Sequence, residues 1–229
     1  MVNKYDKIAT NCAIEFDDIM DFIWKSPNII DHETKVEKSK RYFEENSELH
    51  KLRAEEETRK LKGVFPYLIT VGNLFSVMSA FETYLYLVTI ELEKDTKKNI
   101  SEIKGAGINR IFKYLKYIGV NYDKIDYYLQ INAAIKIRNC FIHASGQLTW
   151  SKEKEILNNI VKSGEYLTKD HLKNRRKNAN YIGEIYFIKN SFGTKLQIKN
   201  DYVHTLSGYL LQYFLLLCEE IKSHLNEEK

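Results

Sequence analysis

Three side chains near the end of one apolar segment, Arg138, Asn139 and His143, have the chemistry needed to act on a phosphodiester. An arginine presents a planar fork of donors that matches phosphate oxygens, and a histidine exchanges protons near neutral pH. An asparagine can hold an imidazole or a phosphate oxygen. Cleavage of RNA by its own 2′-hydroxyl needs a base, an acid and a group that stabilises the charged phosphorane. The three residues could therefore bind a phosphate group and transfer a proton beside it.

The segment that carries these residues, 123–150, predicts one buried helix that stops at Ser145-Gly146, a typical C-cap. Apolar residues occur on almost all sides of it, which indicates a core helix. Its polar exceptions are spaced four, three and four residues apart, so they share one face. This polar stripe consists of Asn132, Lys136, Asn139 and His143. Arg138 lies at the border of the stripe, about 100° round the helix from Asn139.

The motif Arg138-Asn139-x-x-x-His143 resembles the signature of the HEPN superfamily (higher eukaryotes and prokaryotes nucleotide-binding domain). In that signature a polar residue often follows the arginine, and four to six residues separate the arginine from the histidine. The resemblance extends over roughly residues 65–225. It implies a bundle of helices that, in many members, acts as a metal-independent endoribonuclease without a cofactor, in toxin–antitoxin, abortive-infection or CRISPR-linked systems. Other members have lost catalysis and only bind.

The resemblance also implies roles for single residues. Arg138 would bind the scissile phosphate and His143 would transfer protons, while Asn139 and Glu82 would orient them. Glu82 is included because an early helix of these proteins often carries an acid that reaches the arginine, although an ordinary exposed glutamate fits the sequence equally well. Lys136 would add a phosphate contact, or it is simply a solvated lysine.

One histidine cannot act as both acid and base in a concerted step without help. HEPN nucleases pair two copies across the motif helix, so the resemblance implies a C2 homodimer with a composite site. Its products would carry a 2′,3′-cyclic phosphate and a 5′-hydroxyl, and an antitoxin or regulatory protein would be a further partner. One alternative is a catalytically inactive HEPN-like dimer that binds RNA, nucleotide or protein. Another is a purely structural polar network inside a monomer.

The predicted fold class is all-α, a helical bundle with an N-terminal helical extension and a small C-terminal β-hairpin. The extension covers residues 1–62, and the HEPN-like domain covers residues 63–229 with the hairpin near 184–199. Pro27 is expected to end the first helix and Gly63 to end the second. Besides the motif helix, helices are expected over residues 6–24, 35–62, 67–93, 108–118 and 151–163, and from Asp201 onward.

A basic, polar stretch follows the predicted helix at 151–163. Residues 167–180 are expected to form a loop in which Lys173, Arg175 and Arg176 either follow an RNA backbone or are only solvated. Such contacts would be salt-sensitive and blind to sequence.

Composition limits the remaining classes of protein. The chain has 35 basic and 31 acidic side chains, and this net charge of +4 permits a polyanionic partner without requiring one. Three widely spaced cysteines fit a reducing compartment. No signal-type segment begins the chain, and the longest apolar stretches are short or interrupted, which predicts a cytoplasmic protein with no membrane partner. No metal-ligand spacing, phosphate-binding glycine loop or serine-hydrolase elbow is present in the sequence.

Overall fold

The computed structural model describes residues 3–40, 43 and 47–227. Within these residues the chain forms eight α-helices and one antiparallel β-hairpin, which confirms the prediction of a mainly helical fold with a C-terminal hairpin. The helices are α1 (Lys4–Lys38), α2 (Glu48–Arg59), α3 (Phe65–Thr96), α4 (Gly107–Ile118), α5 (Tyr128–Ala144), α6 (Lys154–Ser163), α7 (Lys169–Arg175) and α8 (Asn200–Glu227). The strands are β1 (Ile185–Asn190) and β2 (Gly193–Ile198).

Helix α1 continues through Pro27, so the predicted stop at this proline is wrong. Proline has no N–H to donate to the carbonyl four residues earlier, which here belongs to Ile23. That carbonyl instead accepts hydrogen bonds from Ser26 Oγ at 2.9 Å and from Asn200 Nδ2 at 2.7 Å. Asn73 Nδ2 donates to both Ser26 Oγ and Asn200 Oδ1, at 3.1 and 3.0 Å. This polar network joins α1, α3 and α8 and satisfies the acceptor that the proline leaves without a partner.

Gly63 also fails to end a helix. A single π-helical turn, Lys60–Val64, connects α2 to α3, and it buries the side chain of Leu61 against the bundle. A helical glycine costs roughly 0.5–1 kcal/mol relative to alanine, which burial of one leucine offsets. The single charge-dense helix predicted over 35–62 is wrong, because α1 ends at Lys38 and α2 begins at Glu48. Residues 41, 42 and 44–46 between them lie outside the described residues, as do residues 1–2 and 228–229 at the ends of the predicted domains.

The joined helix, Glu48–Thr96, is long and apolar enough to cross a membrane by length and composition alone, which the sequence analysis did not anticipate. The core helix of a soluble protein passes the same test. In this structure the apolar side chains of α3, among them Leu74, Phe81 and Leu85, are buried in the centre of the bundle. Of the apolar window in this helix, 39% is buried inside the structure, and Leu68, Tyr86 and Leu87 of α3 are exposed, so packing accounts for part of its apolar character.

One hydrophobic cluster extends through the bundle and includes residues from the first and last helices. Cys12 and Phe16 of α1 and Leu210 and Phe214 of α8 are fully buried in it. The first helix of the predicted N-terminal extension thus shares its core with the region that carries the motif.

The hairpin pairs Ile185 with Ile198 and turns between Asn190 and Gly193, within the range predicted for it. It is attached to the end of the motif helix through the backbone. Leu196 N–H donates to the carbonyl of Gly146 at 2.8 Å, and Lys195 forms a β-bridge with Gln147. The hairpin is therefore held directly against the C-terminal end of α5.

Candidate active site on helix α5

Helix α5 is shorter than the single helix predicted over 123–150. It begins after Tyr127, whose φ of 70° is left-handed and incompatible with a continuing helix. It ends at Ser145 and Gly146, which are both left-handed, and Gly146 N–H donates to the carbonyl of Cys140 at 3.1 Å. The predicted C-cap is confirmed, while residues 122–124 and 148–150 form separate 3₁₀ turns.

The polar stripe of α5 faces solvent, as predicted. Asn132 and His143 are exposed, and Lys136 and Asn139 are half-buried. The opposite side of the helix packs into the core through Ile131, Ala134, Ile137 and Cys140. Two apolar residues add to the solvent-facing side, since Leu129 is 56% exposed and Ile142 is 45% exposed. The face carrying the motif is thus open to a ligand or to a second protein surface.

Arg138 contacts the acid that the sequence analysis assigned to it. Its Nη2 lies 3.3 Å from Glu82 Oε2, and its Nη1 donates to Asn139 Oδ1 at 3.3 Å. The side chains of Arg138 and Glu82 are 27% and 30% exposed, so the pair lies at the rim of the core and is reached by water. A guanidinium has five N–H donors, and those not used here have no partner among the described residues. They remain available to an anion.

Gly107, at the start of α4, has no side chain, so its backbone can lie close to the Glu82 carboxylate. Its φ is +59°, and a Cβ at this position would lie 3.0 Å from Glu82 Oε1. Glu82 and Gly107 line a cavity of about 580 Å³ together with Arg110, which donates to the carbonyls of Ile103 and Ile100 at 2.9 and 3.0 Å. The sequence contains no phosphate-binding glycine loop at this position, and no motif in it singles out Arg110.

His143 has no hydrogen bond or ion pair to any described residue. Five positions separate it from Arg138, so the two side chains leave the helix about 140° apart and roughly 7.5 Å apart along its axis. Asn139 lies four positions before His143, on the same face. Because Arg138 Nη1 contacts Asn139, the guanidinium leans toward the face that carries the histidine. Asn139 therefore contacts the arginine and shares a helix face with the histidine, but no described contact joins it to His143.

Lys136 forms an ion pair with Glu153, the residue that precedes α6. The Glu153 backbone N–H donates to Ser151 Oγ at 3.2 Å, which holds the carboxylate close to the helix. Lys136 is therefore a neutralised cation in this structure. The expectation that it contacts RNA stays a prediction.

The basic residues of 167–180 lie at the other end of α5. This stretch was expected to be a loop, but residues 169–175 form helix α7, with Thr168 Oγ1 accepting a hydrogen bond from His171 N–H at its start. Gln130, in the first turn of α5, donates to the carbonyl of Leu167 at 3.2 Å. His143 lies 13 positions beyond Gln130, which is about 20 Å of helix. The structure thus does not bring the basic segment to the histidine.

The three basic residues named from this segment have different surroundings. Lys173 and Arg176 are exposed. Arg175 Nε lies 2.8 Å from Glu184 Oε1, a carboxylate that is only 3% exposed. Burial raises the pKa of Glu184 above its usual range although Arg175 acts in the opposite direction. Arg175 is therefore engaged in an internal ion pair, which no local sequence signal indicates.

Thiol and metal chemistry find little support near the motif. Burial raises the pKa of the Cys140 thiol to about 11, so it is protonated at neutral pH. Among residues 3–40, 43 and 47–227, no three histidine, cysteine, aspartate or glutamate side chains are grouped so that they could hold a metal ion.

Comparisons of the chain with models of protein families, with curated proteins and with solved structures return no match.

Proposed function

We propose that this protein is a metal-independent endoribonuclease of the HEPN type, acting as a toxin or a phage-defence effector. It would cleave RNA by attack of the 2′-hydroxyl and leave a 2′,3′-cyclic phosphate and a 5′-hydroxyl. The observation that carries the proposal is the contact of Arg138 with both Glu82 and Asn139, beside an exposed His143 on the same helix. The resemblance implies this contact of Glu82 with the arginine, and a half-buried arginine in a purely structural network would need an acid partner as well.

The residues divide the chemistry between them. The free donors of Arg138 bind the scissile phosphate and stabilise its added charge, while Glu82 fixes the direction of the guanidinium. His143 takes or gives the proton. Asn139 orients the Arg138 guanidinium, which it contacts, and the His143 imidazole, which lies on the same face of the helix. Because a concerted cleavage needs both an acid and a base, one His143 per active site is one group too few.

A second copy of the chain supplies the missing group in this proposal. Two α5 helices packed face to face would bring two arginines and two histidines into one cleft. Leu129 and Ile142 are exposed apolar side chains on that face, and a dimer would remove them from water. Burying both would stabilise the pair by a few kcal/mol, on the scale of about 25 cal/mol per Å² of apolar surface.

The test of catalysis is incubation of the purified protein with total RNA in EDTA. Cleavage is expected to persist under chelation, to yield ends with a cyclic phosphate, and to vanish in His143→Ala. His143 is exposed and makes no described contact, so this substitution should change the free energy of unfolding by less than about 0.5 kcal/mol. His32→Ala, at another exposed histidine, is the matched control and should cleave like the wild type. Cleavage by His143→Ala at the wild-type rate refutes the proposal.

The composite site has a separate test. Leu129→Asp with Ile142→Asp should convert a dimer to a folded monomer in sedimentation analysis and abolish cleavage, whereas Ile14→Asp, on exposed α1 surface, should do neither. Adding excess inactive His143→Ala to the wild type should reduce activity by more than simple dilution does, because a mixed dimer retains only one of the two histidines. A wild-type protein that is monomeric at high concentration contradicts the shared cleft.

A binding module without catalysis is the second candidate, and one observation favours it. Arg138 already has both an acid and an amide partner within its own protomer, and no described contact connects it to His143. Under this alternative, RNA or nucleotide binds on the α5 face without being cleaved. Retention of labelled RNA by the wild type, with no new ends at any pH or ionic strength, is the outcome that selects it.

A further inference from the structure

A basic and aromatic groove lies on the side of the molecule where the hairpin meets the start of α3. It has a volume of about 690 Å³ and is bounded by α1, the α2–α3 junction and the hairpin. Its lining includes three lysines and two tyrosines: Lys62, Lys195, Lys199, Tyr67 and Tyr186. No aspartate or glutamate from the part of the chain that the structure describes lines it. The groove therefore has a concentrated positive charge in a protein whose total charge is nearly balanced.

Each tyrosine of the groove lies close to a lysine. Lys195 Nζ is 4.3 Å from the centre of the Tyr67 ring, and Lys199 Nζ is 5.8 Å from the centre of the Tyr186 ring. An ammonium over an aromatic face is attracted by the ring but keeps its positive charge. No ion pair neutralises Lys62, Lys195 or Lys199 within the described residues. The groove thus presents cations without an ion-pair partner among the described residues, next to flat, half-buried rings.

This combination fits one class of ligand. Proteins that bind single strands combine a positive groove along the phosphates with aromatic side chains on which bases stack. An acidic peptide would use the lysines but not the ring faces, and a duplex hides the faces of its bases. The volume lies within the range of small-ligand sites, about 300–1,000 Å³. We infer that this groove binds a short segment of single-stranded RNA, with phosphates on the lysines and bases against Tyr67 or Tyr186.

The position of the groove connects it to the motif helix. The Tyr67 ring lies 6.5 Å from the ring of Phe141, two residues before His143. Lys195 is bridged through its backbone to Gln147, four residues after the histidine. A strand held in the groove is therefore directed to the C-terminal end of α5. This last step rests on the proposed function, whereas binding in the groove does not.

The experiment measures binding separately from cleavage. The full chain carrying His143→Ala is titrated against a labelled single-stranded RNA of about 12 nucleotides in EDTA, and fluorescence anisotropy gives the Kd. The groove variant replaces Lys62, Lys195 and Lys199 by glutamine. The control variant replaces Lys7, Lys116 and Lys162, which are exposed on α1, α4 and α6 and do not line the groove, and makes the same change in net charge. Thermal unfolding of each variant verifies that it is folded.

The groove variant should bind about tenfold more weakly than the control variant. The slope of log Kd against log salt concentration should decrease by roughly two, because each of the three lost phosphate contacts on a single strand contributes about 0.7 to that slope. Tyr186→Leu should weaken binding about tenfold through lost stacking and leave the salt dependence unchanged. Double-stranded RNA and polyglutamate should compete poorly.

Several results would overturn the inference. Equal weakening in the groove and control variants would indicate a general effect of charge. Preferred binding of duplex or of polyglutamate would indicate another ligand. If groove-dependent binding occurs but the wild type does not cleave, the groove is retained and the nuclease proposal fails. If the wild type cleaves, and the three lysine substitutions change neither cleavage in a chain with His143 intact nor binding in the His143→Ala chain, the nuclease proposal is retained and the groove fails.

Discussion

The contact between Glu82 and Arg138 makes a quantitative prediction about both stability and activity. A single pair of atoms at 3.3 Å connects the two side chains, and each side chain is more than a quarter exposed. At this separation, Coulomb attraction is about 1.3 kcal/mol in water and about 5 kcal/mol at an effective dielectric constant of 20. Measured coupling energies of exposed ion pairs are roughly 0.2–1 kcal/mol, which is closer to the value in water than to the value at a dielectric constant of 20. We therefore expect a coupling energy of about 1 kcal/mol.

A double-mutant cycle measures this coupling. Urea unfolding of the wild type, Glu82→Gln, Arg138→Gln and the double variant gives the coupling as the part of the free-energy change that is not additive. For a chain of this length, the loss of about 1 kcal/mol lowers the melting temperature by roughly 2–4 °C. The exposed pair of Asp21 and Lys25 on α1 is the control, where a coupling of only about 0.3–0.5 kcal/mol is expected.

The same variants separate a positioning role from a structural one. Glu82→Gln leaves the guanidinium present but without its anchor, so RNA cleavage should fall by about tenfold, the effect of losing about 1.4 kcal/mol in the transition state. Arg138→Gln should abolish cleavage, and the Asp21 and Lys25 variants should leave it unchanged. A coupling energy near zero, or wild-type cleavage by Glu82→Gln, would refute the argument that the acid orients the arginine.

Four further substitutions follow from the structure. Gly107→Ala should destabilise the protein by about 1 kcal/mol because of its left-handed backbone and should reduce cleavage by displacing the acid beside it, as measured by urea unfolding and RNA cleavage. Gly72→Ala, at an exposed position of α3 where nothing lies within 4 Å of the added Cβ, should stabilise by roughly 0.5–1 kcal/mol and leave cleavage unchanged. Glu184→Gln should raise the melting temperature at pH 7–8, because burial raises the pKa of Glu184 and its charged form is disfavoured in the folded state. The difference in melting temperature should disappear as the pH falls toward 4.5, the ordinary pKa of a glutamate, because Glu184 becomes protonated in the folded wild type. Glu153→Gln should release Lys136 and tighten RNA binding about twofold at low salt.

Each of these predictions has a contradicting result. If Gly107→Ala cleaves RNA as well as Gly72→Ala does, the close approach behind the acid does not matter for activity. If the melting temperature of Glu184→Gln lies below that of the wild type at pH 8, the ion pair outweighs the cost of burial. If Glu153→Gln leaves RNA affinity unchanged, the lysine beside it does not touch RNA.

The features that the sequence predicted well depend on neighbours in the chain. The hairpin follows from alternating residues around Asn190 and Gly193, and the end of α4 follows from Gly119, which is left-handed as a C-cap requires. The exposed stripe on α5 follows from helical periodicity alone. These predictions required no information about tertiary contacts.

The errors concern partners that are distant in the sequence. Pro27 remains inside α1 because Asn200, 177 residues from Ile23, supplies a donor to the carbonyl that the proline leaves free. Gly63 stays helical because the bundle buries its neighbour Leu61. The engagement of Arg175 by Glu184 likewise depends on how the hairpin packs. Rules based on periodicity and capping consider only residues that are close in the sequence, so they cannot predict such contacts.

The network around Ile23 has a consequence for the order of folding. The carbonyl at the proline turn of α1 receives its strongest donor, Asn200, from the first residue of α8. During synthesis the ribosome makes the whole of α1 long before it reaches residue 200. The second half of α1 is therefore expected to take its final structure only after α8 has left the ribosome and packed against it. A segment near the start of the chain would then be among the last to fold.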